Sequence, residues 1–394
     1  MAQTIISMDD HVVEPQTLWT ARVPAKFLDI APRVEHGSGM RARRDAAGRL
    51  VFDEDPDRPR ADWWIYEDAR VPVVRSFAAA GYSGAELDMV GMTYEEMRPG
   101  CYDPAARIAD MDLNAVQASL CFPNLLPRFC GQAFLEARDR DLAMICVRAY
   151  NDWLFEEWCA VAPERLFPAC IVPLWDPKAA AEEIHRSSRR GGRAITFPEL
   201  PTRLGLPSIH DRDGYWDPVF QACDETGTLM CVHLGSSSTI TNTSPDAPKA
   251  VSASTVMVNP MLALADWLFS GVFERYPRIK MLLSEAEIGW IPCVLERADR
   301  KWEEFPSYYN HDAVRRPPSE YYYDHVFPSF ISDQHGLDSL SKVGADNITF
   351  EVDYPHGDST WPNTQDVVAK QFAHLTEGDR EKILYKNAAR LLGL

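Results

Sequence analysis

Several familiar signatures are missing from this 394-residue chain, and each absence removes a class of function. No GxGxxG follows its first apolar run and no GxxxxGK[ST] occurs, so the usual dinucleotide and P-loop arguments have no footing. No uninterrupted run of about 18 apolar residues is present, and no basic segment followed by an apolar one opens the sequence. The expectation is a soluble cytoplasmic protein without a membrane partner. CxxC is absent: the nine cysteines are irregularly spaced and odd in number, which reads as small buried hydrophobes in a reducing compartment rather than a disulfide framework or a thiolate zinc site. Basic residues are in deficit, 40 against 58 acidic, and the net charge of −18 excludes a nonspecific nucleic-acid binder, since the phosphate backbone would repel it. The short RRGGR run at 189–193 does not alter that balance. No repeat with a period of 20 to 50 residues marks a solenoid or propeller.

What is present is a recurring order of short apolar runs and amphipathic segments. Runs beginning near residues 5, 117, 167, 193, 229, 280, 327 and 347 read as eight strands, and from about 104 onward helix-like stretches separate them. Eight strands alternating with helices predict a (β/α)8 barrel, and a hydrophobic content of 46% over this length suffices for one large core. The reading is a single domain over 1–394. Residues 24–105, rich in Pro, Gly, Arg and aromatics with no long period, read as an insertion that wraps the barrel or roofs its mouth. Residues 133–160 read as one long helix and 305–324 as a Tyr- and Pro-rich loop.

Four candidate metal ligands sit where strands end: Asp9 and His11 in IISMDDHVVEP, His233 in LMCVHLG and Asp353 in ITFEVDYPH. Side chains alternate along a strand, so Asp9 and His11 share one side, and in a barrel the strand exits converge. Carboxylate oxygen and imidazole nitrogen together suit one divalent cation. Three of the four also have a structural reading: Asp9 as a turn former, His233 as a buried histidine tied to the backbone, Asp353 as a cap on its own loop. Glu285 ends IKMLLSE, with Glu287 two residues on; either is a general acid or base, or else an ion-pair partner for Arg297 or Arg300. His210 and His356 are candidates for substrate binding, while Asp358 and Glu14 are supporting groups. Cys231 lies within a strand, Ser236 to Ser238 lack a GxSxG context and read as loop formers, Asn259 reads as an N-cap and Asp266 as a surface polar group.

Taken in order, MDDHVVEP, CVHLGSSS, LLSEAEIGWIP and FEVDYPHGDSTWP resemble the amidohydrolase superfamily, most closely the amidohydrolase family 2 branch related to aminocarboxymuconate semialdehyde decarboxylase. The resemblance runs over nearly the whole chain. It implies a distorted (β/α)8 TIM barrel, one divalent metal (zinc expected, manganese the alternative), and Asp9, His11, His233 and Asp353 as its ligands. It also implies a homodimer acting on a small molecule. Decarboxylases of that branch carry a histidine at the end of the sixth strand; here the position holds Glu285. That departure turns the expectation toward metal-assisted hydrolysis of a cyclic or aromatic substrate, with Asp353 as the leading proton shuttle and Glu285 as the alternative. Nonoxidative decarboxylation is the second reading, and a noncatalytic binding or assembly role is the third.

Overall fold

The computed structural model describes residues 3–394. Eight parallel strands form its centre: β1 (Ile5–Val12), β7 (Val116–Pro123), β8 (Leu166–Cys170), β9 (Ala194–Phe197), β10 (Leu229–His233), β11 (Met281–Ser284), β12 (Val326–Phe330) and β13 (Thr349–Phe350), hydrogen-bonded in that order. The chain just past β13 closes the ring onto β1. Val352 N donates to Ser7 Oγ at 2.9 Å, Asp353 N to the Asp9 carbonyl at 2.9 Å, and His11 N to the Tyr354 carbonyl at 2.7 Å. The result is the distorted (β/α)8 barrel expected from the strand count.

Alternation divides each strand between two cores. Leu229 and Cys231 join Ile6, Met8, Leu120 and Leu282 in the barrel interior, whereas Met230 and Val232 face the surrounding helices. The C-terminal helix Asn387–Leu392 adds Ala388 and Leu392 to the interior cluster and plugs the end opposite the strand exits. In β1 the alternation breaks. Ser7 pairs with Ser119 but Asp10 pairs with Cys121, so three steps on β1 match two on β7. This bulge leaves Met8 and Asp9 both facing inward and returns His11 to the interior, opposite Phe122.

The segment before the second barrel strand has regular structure that its composition concealed. It holds a three-stranded antiparallel sheet of β2 (Arg33–Gly37), β5 (Ala61–Tyr66) and β6 (Ala69–Pro72), and a hairpin of β3 (Gly39–Arg44) and β4 (Leu50–Asp55). The strands are four to six residues long, too short for a clear period. Trp63 and Trp64 are packing groups: Trp64 meets Trp19 edge to face with centroids 5.1 Å apart, and Trp63 Nε1 donates to the Ser38 carbonyl at 2.9 Å. Elsewhere the expected long helix at 133–160 is two helices, Gln132–Glu136 and Arg140–Trp153, and the expected loop at 305–324 contains the start of a helix, Pro318–His325. No described helix is long and apolar enough to cross a membrane.

Candidate active site

At the strand exits the barrel gathers Asp9, His11, His233 and Asp353, all at most 1% exposed in their side chains. His11 Nε2 and His233 Nε2 lie 3.1 Å apart. Asp9 Oδ1 is 3.3 Å from His11 Nε2, Asp9 Oδ2 is 3.2 Å from His233 Nε2, and Asp353 Oδ1 is 3.6 Å from His11 Nε2. Ligand atoms about 2.1 Å from a shared cation stand about 3.0–3.4 Å from one another.

The tautomers agree with that spacing. His11 Nδ1 donates to the Pro123 carbonyl at 2.9 Å and His233 Nδ1 donates to the Leu234 carbonyl; a carbonyl only accepts, so each ring carries its proton on Nδ1 and turns an Nε2 lone pair to the centre. Two facing lone pairs cannot bond one another. Burial, reinforced by the neighbouring His356 and His233, holds His11 neutral, its pKa well below the ordinary value. Burial likewise lowers His233. Both carboxylate oxygens of Asp9 are buried and meet no hydrogen-bond donor. Burial first, and then repulsion from Glu351, Glu285 and Asp353, raises Asp9 far above the carboxylate range. Asp353 and Glu351 are raised in the same direction, again chiefly by burial. Orphaned carboxylates, neutral imidazoles and lone pairs aimed at one point fit a divalent cation, and this donor set is of the kind that takes one.

Beside this centre His356 takes a different state. Its Nδ1 is 3.0 Å from Asp353 Oδ1 and 3.7 Å from Glu285 Oε1, and its Nε2 is 3.4 Å from Asn124 Oδ1. Burial alone would lower its pKa, but the two carboxylates outweigh it and raise the imidazole to about 10. The ring stacks on His11 with centroids 3.9 Å apart. Glu285, Glu287 and Asp353 all have positive φ, at 51°, 55° and 55°, the left-handed turn that swings each side chain off its strand axis.

A cavity of about 660 Å³ opens onto this pole. Asp353, His356 and Glu285 floor it, Phe77 and Phe129 wall it, and the β3–β4 hairpin contributes Phe52 from above. Phe129 also covers the imidazoles, its ring 4.3 Å from that of His233. The indoles at 63, 175, 216 and 361 do not line the cavity.

Other candidates fall elsewhere. His210, expected to reach substrate, lies outside the cavity with its side chain 42% exposed and Nε2 2.6 Å from Asp266 Oδ1; its loop carries the ring to the surface, where a carboxylate holds it. Glu285 and Glu287 pair with neither Arg297 nor Arg300; Arg300 bonds Glu304. Glu14 accepts from Asn124 N at 2.9 Å and Leu125 N at 3.0 Å, tying the loop after β1 to the exit of β7. Asn259 is inside a helix rather than at its cap, donating to Glu199 Oε1 at 2.8 Å. Ser236 and Ser237 shape the loop after β10 by accepting from Glu199 N and Leu200 N. Cys231 is buried in the barrel, and burial raises its thiol far from the thiolate range.

Four contributors went unrecognised in the sequence: Asn124, Phe129, Glu351 and Arg107. Glu351 was within reach, since it shares strand parity with Asp353. Arg107 is fully buried and donates to the His11 carbonyl at 2.6 Å and the Gly100 carbonyl at 2.7 Å, clamping the strand that carries two of the converging groups.

Comparison with known proteins adds relatives to this geometry. The chain is 27% identical over 276 residues to gamma-resorcylate decarboxylase of Rhizobium sp. (strain MTP-10005), covering 65% of this chain and 78% of that protein. Its fold is similar to an amidohydrolase from Mycobacterium avium subsp. paratuberculosis K-10, with a TM-score of 0.71, 21% identity, and 99% and 98% of the two chains covered. It is also similar to a dihydroxybenzoic acid decarboxylase from Polaromonas sp. JS666, determined with bound manganese and the inhibitor 2-nitroresorcinol, with a TM-score of 0.60, 18% identity, and 100% and 97% covered. The model of the amidohydrolase family matches residues 43–394, which takes in His233, Glu285, Asp353 and His356 and leaves Asp9 and His11 on the strand before it. With that match spanning most of its length, the chain belongs to the amidohydrolase family.

Proposed function

We propose that this chain is a metal-dependent nonoxidative decarboxylase of aromatic or unsaturated carboxylic acids. The observation that carries the reading is the apolar cavity ending at a cation-fit pole, with a proton-bearing imidazole against the pole's own carboxylate. The decarboxylases among the relatives point the same way, and to this reading ahead of the hydrolysis expected from the sequence. Asp9, His11, His233 and Asp353 would hold the cation. When bound, it would fix the substrate carboxylate with a neighbouring oxygen and draw electron density from the ring. Two imidazoles with two carboxylates suit zinc and manganese alike; manganese is the first to test because the Polaromonas relative contains it.

The proton path belongs to the chain itself. Asp353 delivers a proton to the ring carbon that bears the carboxylate; that carbon–carbon bond then breaks, its electron pair returns to the ring, and carbon dioxide leaves. His356 Nδ1, 3.0 Å away, resupplies Asp353 Oδ1. Glu285, 3.7 Å from the same nitrogen, stabilises the imidazolium beside Asp353. In this reading 1–394 acts as one unit, the 24–105 insertion roofs the cavity, and two copies form the working dimer.

Hydrolysis remains the second reading on one observation, the carboxylate of Glu285 at the end of β11, placed to take a proton from water. Manganese-loaded protein incubated with hydroxybenzoates in deuterated water separates the two. Carbon dioxide release with one deuterium on the product ring supports decarboxylation. Oxygen from labelled water in a product of amide or lactone cleavage, without carbon dioxide, identifies hydrolysis. Stoichiometric metal with neither product leaves a binding role.

A further inference from the structure

The cavity is too large for the single-ring acids that its relatives' names suggest. A packed organic molecule occupies on the order of 20 Å³ per heavy atom, so a hydroxybenzoate of ten heavy atoms fills about 200 Å³. That is less than a third of the roughly 660 Å³ available.

The β3–β4 hairpin supplies part of the cavity lining. The hairpin is fastened to the barrel at its tip: Ile240 N donates to the Gly48 carbonyl at 3.3 Å, and Arg49 bridges to Thr239 on the loop that follows His233. Gly48 has φ +79°, and a Cβ there would stand 2.6 Å from the Ile240 carbonyl oxygen, so only glycine permits this approach. Asp45 Oδ1 stiffens the turn by accepting from Ala47 N at 2.8 Å and Arg49 N at 2.9 Å. From this fixed arm Leu50, Val51 and Phe52 face the cavity.

Three arginines also line it. Arg70 is paired with Glu54 at 2.7 Å, and Arg128 with Glu136 and the Ser238 hydroxyl. Arg44 differs. Its guanidinium donates to the Gly48 carbonyl at 3.0 Å and forms no ion pair with any carboxylate among the described residues. It is half-buried, and that burial lowers its pKa without removing its charge. A partly desolvated cation without a counter-ion on an apolar wall is completed by an anion.

Resting on the decarboxylase reading for the pole, we infer that the substrate is an acid whose apolar body is longer than one ring and which carries a second anionic group at Arg44, under the hairpin. Arg44 and Phe52 are then the specificity residues, one for the distal charge and one for length.

Calorimetry on the manganese-loaded full chain tests this with salicylate, 5-phenylsalicylate and 5-(4-carboxyphenyl)salicylate, while carbon dioxide release is followed separately. The expected order is weakest binding for salicylate, tighter for the phenyl compound, and about tenfold tighter again for the carboxyphenyl compound. R44Q should bring the last two to equal affinity. F52W, which shortens the cavity and keeps the charge, should turn preference back toward salicylate. Equal affinity for all three compounds, a tenfold preference that survives R44Q, or an unchanged order in F52W overturns the inference. If the affinity order holds but no compound releases carbon dioxide, the decarboxylase reading fails and the substrate shape stands. If salicylate releases carbon dioxide while the longer acids neither bind nor react, the shape fails and the decarboxylase reading stands.

Discussion

Replacing Asp9 with asparagine should destabilise the metal-loaded protein and stabilise the chelated one. Asp9 is fully buried, both its oxygens lack hydrogen-bond donors, and its neighbours are imidazole lone pairs and four further carboxylates. Without a cation it must take up a proton to avoid an unpaired buried charge. At pH 7 that proton costs at most about 1.4 kcal/mol for each pH unit above the ordinary aspartate value of 3.8, about 4 kcal/mol in total. Asparagine has the same shape and no charge, so apo D9N should exceed the apo wild type by about 1–4 kcal/mol. With a cation at a thousand times its dissociation constant the wild type gains about 4 kcal/mol and D9N loses most of that, so the order reverses when the apo advantage of D9N lies in the lower part of its range. At about 2.1 cal/mol/K per residue of unfolding entropy, 4 kcal/mol corresponds to about 5 °C in a chain of 394 residues. Differential scanning calorimetry of four samples, wild type and D9N each with manganese and with chelator, measures both signs. Identical melting of chelated and loaded wild type, or a chelated D9N less stable than chelated wild type, would refute the argument that these buried carboxylates exist for a cation.

Three further outcomes follow from the same contacts. Glu285→Gln should lower turnover about a hundredfold or more while leaving metal content unchanged, because the imidazolium of His356 loses one of its two carboxylates; full activity in this variant would remove Glu285 from the proton path. Gly48→Ala should cost about 1–2 kcal/mol locally and release the hairpin tip, read as faster amide exchange over 39–55 with the barrel strands unaffected. Burial raises Glu199 to about 7 from its ordinary 4.5. A carboxyl raised by folding contributes stability that is fully present below pH 4.5 and is lost as pH rises through 7, here about 3 kcal/mol. E199Q should flatten that decline in urea titrations between pH 4.5 and 8, and an unchanged slope would rule out Glu199 as its source.

Much of this molecule was legible along the chain. Eight short, near-continuous apolar runs specify a barrel because a strand buried on both faces needs apolar residues at every position, and the polar residues that interrupt such runs at their ends have few places to go except the mouth. That logic brought His233 and Asp353 to one point, and Glu285 near it. It failed for His210, because a long loop has no parity to say which way it points. It also failed for the strands at 33–72, too short for their periodicity to rise above a background of Pro, Gly and charge.

What only tertiary structure decided is which side chains turn inward, and how much room they leave. By simple alternation Met8 and Asp9 would face opposite ways; the bulge that puts both inside exists only because β1 pairs with β7, which no local pattern in IISMDDHV announces. The charge on His356 is likewise collective, set by two carboxylates brought from 71 and three residues away by ring closure and a left-handed turn. The size of the cavity depends on a hairpin held by a glycine against a loop nearly two hundred residues further on. Alternation and polarity are properties of neighbours in sequence, so the chain itself carries them; charge state, direction past a bulge and cavity volume are properties of neighbours in space, and arise only when the barrel closes.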